Sequence, residues 1–279
     1  MFLTEFRAYG KVNLYLSVGE KREDGFHSVE SIMHKSDVYD DIIIEKTESK
    51  GIQLICSQPE FPCDSSNLIH RAVIGLHEEI GLPIDKLDYG YRITVTKRIP
   101  LSGGMGGGSA NAGYTLRHLN IALGEPLSVD KLAGIAARLG SDVPFFVYGE
   151  DAMIATGRGE IMEKCPSLPP CRMEFRSCGK KPSTGAMYAA LDAMRVSDSL
   201  KADGANAPTL NDMLCALESG DLHRISKAVY NSFTRVFAKL TEECYPGPYT
   251  VIDQLKREGA VVAFLCGSGP TVCGLFPPD

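Results

Sequence analysis

Along residues 91–99 polar and apolar positions alternate: Ile93, Val95 and Lys97 fall on one side, Arg92, Thr94, Thr96 and Arg98 on the other. That period of two predicts a half-buried strand, which Pro100 stops. Leu116, Leu119 and Leu123 then recur at helical spacing, predicting a helix capped by Ser109 or Asn111. Earlier in the chain, residues 5–18 and 37–46 read as strands, the second through the β-branched run Ile42-Ile43-Ile44, with a polar segment at 19–27 between them. Asp64-Ser65-Ser66-Asn67 marks the start of a helix over 68–80, ended by Gly81 and Pro83, and a further helix spans 128–139 and stops at Gly140. Beyond residue 170 the pattern predicts a strand over 171–177, a helix over 183–194, a small polar loop at 197–208, and helices over 210–217, 222–237 and 251–258. Two β-like apolar stretches within 260–276 follow, around Cys266-Gly267-Ser268-Gly269-Pro270. Helices and strands in mixed order predict an α+β architecture rather than strict βαβ alternation. The segment Cys165-Pro166-Ser167-Leu168-Pro169-Pro170 is the candidate boundary between a domain over 1–165 and one over 171–279, because closely spaced prolines suit a stiff crossing.

Between the strand and the helix lies Pro100-Leu101-Ser102-Gly103-Gly104-Met105-Gly106-Gly107-Gly108-Ser109-Ala110-Asn111-Ala112, with five glycines in six positions. Glycine lets backbone approach a ligand closely, and the free N–H groups at a helix start stabilise negative charge, so this is the layout of a phosphate cradle. It is not a Walker loop, since Ser109 and Ala110 stand where the lysine would follow Gly108. Nor does it fit the dinucleotide spacing, because the sixth position from Gly104 is Ser109. The competing interpretation is a flexible surface loop, which a position between a clean strand and a capped helix disfavours.

The 279 residues suffice for one large or two medium domains. A net charge of −6, with no basic cluster longer than a pair such as Lys180-Lys181 or Lys97-Arg98, argues against nucleic-acid binding. No apolar run approaches a membrane span, and Glu5 and Arg7 stand where a signal peptide would be apolar, so a cytoplasmic location is expected. The nine cysteines contain no C-x-x-C pair and are odd in number, which predicts reduced thiols and neither zinc nor a disulfide framework.

Three further constellations carry polar groups beside apolar runs: Lys11-Val12-Asn13-Leu14, Asp24-Gly25-Phe26-His27, and Gly140-Ser141-Asp142-Val143-Pro144-Phe145-Phe146. Strand alternation puts Lys11 and Asn13 on one face, where they are either functional or simply solvated. Taken alone, Asp142 reads as a turn residue between helix and strand, His27 as a hydrogen-bonded structural histidine, and Phe26 and Tyr188 as ordinary core aromatics.

Taken together, in this order and spacing, these motifs resemble the GHMP small-molecule kinases from about Ala8 to Phe276. Lys11 to Leu14 is similar to that family's first motif, Pro100 to Ala112 to its ATP motif, Gly140 to Phe146 to the segment with the acidic residue, and Gly267-Ser268-Gly269 to its third motif. Asp24-Gly25-Phe26-His27 and Ser183-Thr184 followed by Tyr188 resemble the branch that phosphorylates 4-diphosphocytidyl-2-C-methyl-D-erythritol in the non-mevalonate isoprenoid route. The resemblance implies a two-domain GHMP kinase fold, with a ribosomal-S5-like N-terminal domain and a ferredoxin-like C-terminal one. It implies ATP and Mg²⁺ as cofactors and transfer of a phosphoryl group to the substrate's 2-hydroxyl. Lys11 and Asp142 would be catalytic, Asp142 accepting or orienting the hydroxyl proton and Lys11 offsetting charge on the transferring group. Asn67, Lys97, Pro100, Gly103, Gly104, Gly106, Gly107, Gly108, Ser109 and Asn111 would bind the nucleotide. Phe26 and Tyr188 would sandwich the cytosine, with Asn13, His27 and Thr184 near the substrate. A cytidyl diphosphate-linked polyol is then the partner of a monomer or homodimer, with no nucleic acid and no membrane. Ala110 and Gly113 depart mildly from the ATP motif, and the chain ends at Pro277-Pro278-Asp279, where the family usually continues with a helix and a strand. The rivals are another GHMP kinase, acting on mevalonate, homoserine or a sugar, and a non-catalytic ATP-binding sensor, which would have no need of both Lys11 and Asp142.

Overall fold

A computed structural model describes residues 2–180, 183–196, 207–240 and 247–278. Most of the polar loop expected at 197–208 and the pair Lys180-Lys181 therefore lie wholly or partly outside the described residues. The chain divides into two compact units that interleave in sequence. The first comprises Met1–Lys11, Ser36–Leu101 and Gly106–Glu150; the second comprises Val12–Lys35, Ser102–Met105 and Asp151–Asp279. The proline-rich stretch at 165–170 is irregular chain inside the second unit.

Strands β1 (Phe2–Lys21) and β2 (His27–Thr47) are longer than their hydrophobic patterns predict and contribute residues to both units. In the first unit β2 and β1 continue a sheet begun by β3 (Gly51–Cys56) and β4 (Gly90–Thr96), in the order β3-β4-β2-β1. β4 runs antiparallel to β2, pairing Ile93 with Ile44, and parallel to β3, pairing Ile93 with Leu54. Helix α1 (Leu68–Glu79) joins those two parallel strands, as a parallel pair requires. Its N-cap is Asn67, whose side chain accepts from the Ile69 N–H, so the predicted start is correct to the residue.

Helix α2 (Gly107–Ala122) packs against α1 and against α4 (Val143–Tyr148), and α3 (Val129–Leu139) packs on α1 and α4. Neither Ser109 nor Asn111 caps α2, contrary to the sequence expectation. The helix starts earlier, after Gly106 in the left-handed region (φ 67°), and the Ala110 N–H closes the first turn on the Gly106 carbonyl at 2.7 Å. A polar cap is preferred where a helix end must satisfy its own N–H groups, and this end has glycine instead. Asp142 likewise does not lead into a strand; it precedes the short helix α4, with Pro144 in its first turn.

His118 on α2 stacks on Phe6, centroids 4.2 Å apart and planes within 4°, and burial with the Arg117 charge pulls its pKa down to about 4. Burial lowers His77 and His34 as well. An unfolded histidine titrates near ~6.5, so on acidification the unfolded chain takes up protons that the native one refuses. Stability should therefore fall as the pH drops from about 6.5 towards 4, above the window in which the lowered carboxylates of Asp151 and Glu160 act. His118→Phe should flatten that loss by on the order of 2 kcal/mol, read as the thermal midpoint against pH.

In the second unit β8 (Tyr230–Asn231) joins β1 in parallel, pairing Tyr15 with Tyr230, while β5 (Ala152–Thr156) runs antiparallel to β2 and to β6 (Ile161–Lys164). A second sheet has the order β7-β10-β9, all antiparallel, from Arg172–Ser177, Thr271–Phe276 and Val262–Leu265. Helices α5 (Thr184–Val196), α6 (Leu210–Glu218), α7 (Leu222–Ala228), α8 (Phe233–Leu240) and α9 (Gly247–Arg257) complete this unit. Their core includes Met187, Leu191, Phe233, Phe237 and Leu255 with Leu16 and Val18 of β1. The single helix predicted over 222–237 is in fact α7, β8 and α8. The chain breaks at Val229 because Tyr230 and Asn231 pair with β1, and the Ser232 hydroxyl accepts the Val18 N–H at 3.0 Å. No helix among the described residues is long and apolar enough to cross a membrane.

Candidate active site

The first unit gathers a cation, a carboxylate and a helix N-terminus. β1 carries Lys11 into the interior, 4% exposed, with its Nζ 3.4 Å from Asp142 Oδ2 at the start of α4. The solvated alternative for Lys11 and Asn13 is thereby removed, since Asn13 is 1% exposed. Asp142 keeps about a third of its side chain accessible (34%), so the pair has one buried member and one that a ligand can reach. The lysine stem lies against the entry to α2: a Cβ on Gly106 would stand 3.2 Å and 3.3 Å from Lys11 Cγ and Cε.

The glycines of α2 differ in what they make room for. A Cβ on Gly107 would meet Ile99 Cγ2 at 3.0 Å and Lys97 Nζ at 3.1 Å, so packing demands its absence. A Cβ on the exposed Gly108 would meet only Leu68 Cδ1, at 4.0 Å. Nothing in the protein requires a glycine there, as expected of backbone that must be approached from outside. Together with the N–H groups that any helix start leaves without intrahelical partners, this arrangement fits an anion such as a nucleotide phosphate. Ser109 is the third residue of the helix and partly exposed. Pro100 is exposed just beyond β4.

Lys97, Asn67 and Asn111 are held more tightly by the protein than the resemblance suggests. Lys97 Nζ forms a fully buried ion pair with Asp40 and lies 3.4 Å from Asn111 Oδ1. Asn67 uses its carbonyl to cap α1 and donates its Nδ2 to the Pro62 carbonyl at 2.6 Å. Asn111 Nδ2 is buried without a partner, a donor held about one turn inside α2. Asp40, which anchors this group, was not legible: nothing in its neighbourhood distinguishes it from the adjacent Asp41.

Gly103 and Gly104 belong to the second unit, where they dock on the loop between β9 and β10. The Thr271 N–H donates to the Gly103 carbonyl at 3.3 Å. Gly104 is left-handed (φ 81°), and a Cβ there would overlap the Cys266 carbonyl oxygen and stand 2.9 Å from that of Gly269. The loop is held from behind by Asn231, whose Nδ2 donates to the Leu265 and Gly267 carbonyls at 2.8 Å each while its Oδ1 accepts the Phe233 N–H. Asn231 was missed because its segment has helical periodicity. Cys178 adds an Sγ–H bond to the Pro270 carbonyl at 3.0 Å, and burial pushes its thiol up to about 12, which keeps it a donor. Gly104→Ala should therefore combine a backbone overlap with a strained φ and destabilise the chain by about 2–3 kcal/mol, measurable as a drop in the denaturant midpoint. A Gly104→Ala protein as stable as its parent would mean that the loop shifts freely.

The second unit also holds a cluster around His27. Asp24 and Gly25 form the turn before β2, with Gly25 at φ 84° and the Asp24 carboxylate accepting the Phe26 N–H at 3.1 Å. Phe26 is 52% exposed at that turn, with the Arg158 guanidinium 4.9 Å from its ring centre, and is no core residue. His27 is buried; its ring lies 5.0 Å from that of Tyr188, and its Nε2 is 2.8 Å from Asp192 Oδ1. Tyr188 in turn packs edge-on against Phe233. Thr184 is the exposed first residue of α5. Asn13 donates to the Ser31 hydroxyl at 2.8 Å, which donates to the Tyr15 carbonyl at 2.7 Å. Arg158 and Asp192 were missed, since a lone charged residue on a turn or helix carries no local signal.

Comparison with known proteins bears on both units. The model of the GHMP kinases N terminal domain matches residues 67–150, and that of the GHMP kinases C terminal matches residues 213–279. The chain is 37% identical over 274 residues to the 4-diphosphocytidyl-2-C-methyl-D-erythritol kinase of Geobacillus kaustophilus, spanning 98% of this chain and 88% of that one. It is 34% identical over 269 residues to the namesake protein of Listeria innocua, spanning 96% and 86%. A crystal structure of 4-(cytidine 5'-diphospho)-2C-methyl-D-erythritol kinase superimposes with a TM-score of 0.74 at 28% identity, over 98% of this chain and 90% of that one. A crystal structure of L. major mevalonate kinase in complex with R-mevalonate reaches a TM-score of 0.71 over 99% of this chain and 88% of that one, but at 15% identity that likeness concerns the fold alone. With more than a third of its residues shared over nearly its whole length, the chain belongs to the 4-diphosphocytidyl-2-C-methyl-D-erythritol kinases, a branch of the GHMP kinases with their two-domain α+β fold.

Proposed function

We propose that this chain, an ATP-dependent small-molecule kinase by family, transfers the γ-phosphoryl group of ATP to the 2-hydroxyl of 4-diphosphocytidyl-2-C-methyl-D-erythritol. The observation that carries the chemistry is the Lys11–Asp142 pair, 3.4 Å apart, with the lysine stem against Gly106 at the entry to α2. Phosphoryl transfer asks little covalent chemistry of a protein; it needs positioning and stabilisation of charge on the moving group. Gly103, Gly104 and Gly106 to Ser109 would hold the phosphates through backbone N–H groups. Lys11 would offset charge on the transferring group, and the accessible Asp142 carboxylate would take or orient the hydroxyl proton.

Mg²⁺ arriving with the nucleotide would neutralise its phosphate oxygens, and such an ion is ordinarily held by phosphates and water with one or two side-chain oxygens. No group of three or more His, Cys, Asp or Glu that could hold a metal ion occurs among the described residues, so the donor set suits an ion brought by the nucleotide, with the Ser109 hydroxyl nearby. Asn111 would supply its buried Nδ2, and Pro100, Asn67 and Lys97 would shape the nucleotide's surroundings rather than offer it a spare charge. For the other end of the substrate, Phe26 and Tyr188 would stack on cytosine, with His27, Asn13 and Thr184 beside it. The described cysteines form no disulfide, which suits action in the reducing cytoplasm.

The test is incubation of the purified chain with Mg-ATP and 4-diphosphocytidyl-2-C-methyl-D-erythritol, following ADP release and the product by phosphorus NMR. A new phosphate monoester on the 2-hydroxyl is the expected result. ADP release only with mevalonate, homoserine or a sugar, or ATP binding without turnover on any of them, overturns it.

A further inference from the structure

The geometry points to Asp192 as a positioning residue that sets the tautomer of His27 and thereby makes the site prefer cytosine to uracil; this rests on the reading above that His27 faces the base. Helix α5 presents two side chains to His27 from successive turns. Tyr188 lies against the imidazole ring, centroids 5.0 Å apart, and Asp192, four residues on, meets Nε2 at 2.8 Å. The Asp192 carboxylate is itself braced. Arg195 Nη1 stands 3.9 Å from the same oxygen, and the Arg195 guanidinium donates to the carbonyls of Val18 and Gly19 on β1.

An ionised carboxylate only accepts hydrogen bonds, so Nε2 carries the proton and donates it to Asp192. In the neutral ring Nδ1 is then an acceptor. Cytosine offers a 4-amino donor to such a nitrogen, whereas uracil presents a carbonyl oxygen at the same place, and two acceptors facing each other leave both unsatisfied. Stacking between aromatic rings cannot make this distinction, because both pyrimidines have the same shape. The discrimination lies in one lone pair, and Asp192 keeps it available.

Two readouts test this on the full chain. With ¹⁵N-labelled histidine, the His27 signals, identified by their loss in His27→Gln, should show Nε2 protonated and Nδ1 bare at neutral pH. Asp192→Ala should redistribute the proton towards Nδ1. In the same variant the kcat/KM for the cytidyl substrate should fall about tenfold through KM, with kcat and the KM for ATP unchanged, while turnover of the uridyl analogue holds or rises. Asp192→Asn, which keeps an acceptor oxygen, should recover part of the preference. A parent spectrum with Nδ1 protonated overturns the inference even if the enzyme is active on the cytidyl substrate. An equal loss on both pyrimidines, or a change in kcat or in the KM for ATP, overturns it as well by reducing Asp192 to a structural role. If the parent shows the expected tautomer but no turnover of the cytidyl substrate, the functional reading fails and takes the base preference with it.

Discussion

Asp142→Asn should lower turnover by at least about 10²-fold while leaving the thermal midpoint and ATP affinity close to those of the parent. The substitution is nearly isosteric, and Asp142 makes no cap hydrogen bond to α4, so the helix start does not depend on its charge. What is lost is the carboxylate proposed to take the hydroxyl proton, and with it the full negative charge facing a Lys11 ammonium that is 4% exposed. Lys11 then faces the amide carbonyl instead of a carboxylate, which weakens the bond without removing it. Single-turnover measurements, with ATP affinity taken separately by calorimetry, check this prediction. Turnover within a factor of a few of the parent would remove Asp142 from the chemistry and leave it as a partner for Lys11.

The second large effect is on stability. Asp40→Ala should destabilise the chain by about 3–5 kcal/mol, because a partner is removed from a buried ion pair. Asp40 is fully buried; one oxygen meets Lys97 Nζ and the other accepts the N–H groups of Arg98 and Ile99 at 2.7 Å and 2.9 Å. Its loss strands an ammonium and two backbone donors at the end of β4. Replacing both partners by apolar side chains, Asp40→Leu with Lys97→Met, should recover much of the lysine's share, since a buried pair exchanged for hydrocarbon is often close to neutral. Chemical denaturation of the three proteins reads this directly. The double variant is the more informative one for the site: Lys97 Nζ would lie 3.1 Å from a Cβ on Gly107, so the KM for ATP should rise even where stability returns. Unchanged nucleotide affinity in a stable double variant would confine Lys97 to a structural part.

Much of this molecule can be read one-dimensionally because local chemistry decided it. The cap of α1 needed only Asn67 ahead of a helical run, and the end of α3 needed only Gly140. The glycine-rich run pointed to a phosphate, since a backbone that must approach one can be written in few ways, and the motifs around Lys11, Asp142 and His27 gave the class of chemistry through their resemblance to one family. Where periodicity misled, a distant partner had intervened. Residues 222–237 are helical in pattern, yet Tyr230 and Asn231 became a strand because β1 offered them pairing and the loop at Leu265 to Gly267 offered Asn231 two carbonyls.

The chain by itself thus determined most of its elements and its glycine-rich turn, which follow from φ/ψ preference and spacing, while the residues for phosphoryl transfer were legible only through the resemblance to a family. Only the tertiary structure decided what each charge faces: Lys97 on Asp40 rather than in solvent, Asp192 on His27 rather than on water, Gly104 against the carbonyl of Cys266. Those pairings join residues 57, 165 and 162 positions apart. At such separations the energy of a contact depends on burial and geometry that no local pattern encodes, because a carboxylate looks the same in a sequence whether its partner is an ammonium, an imidazole or water.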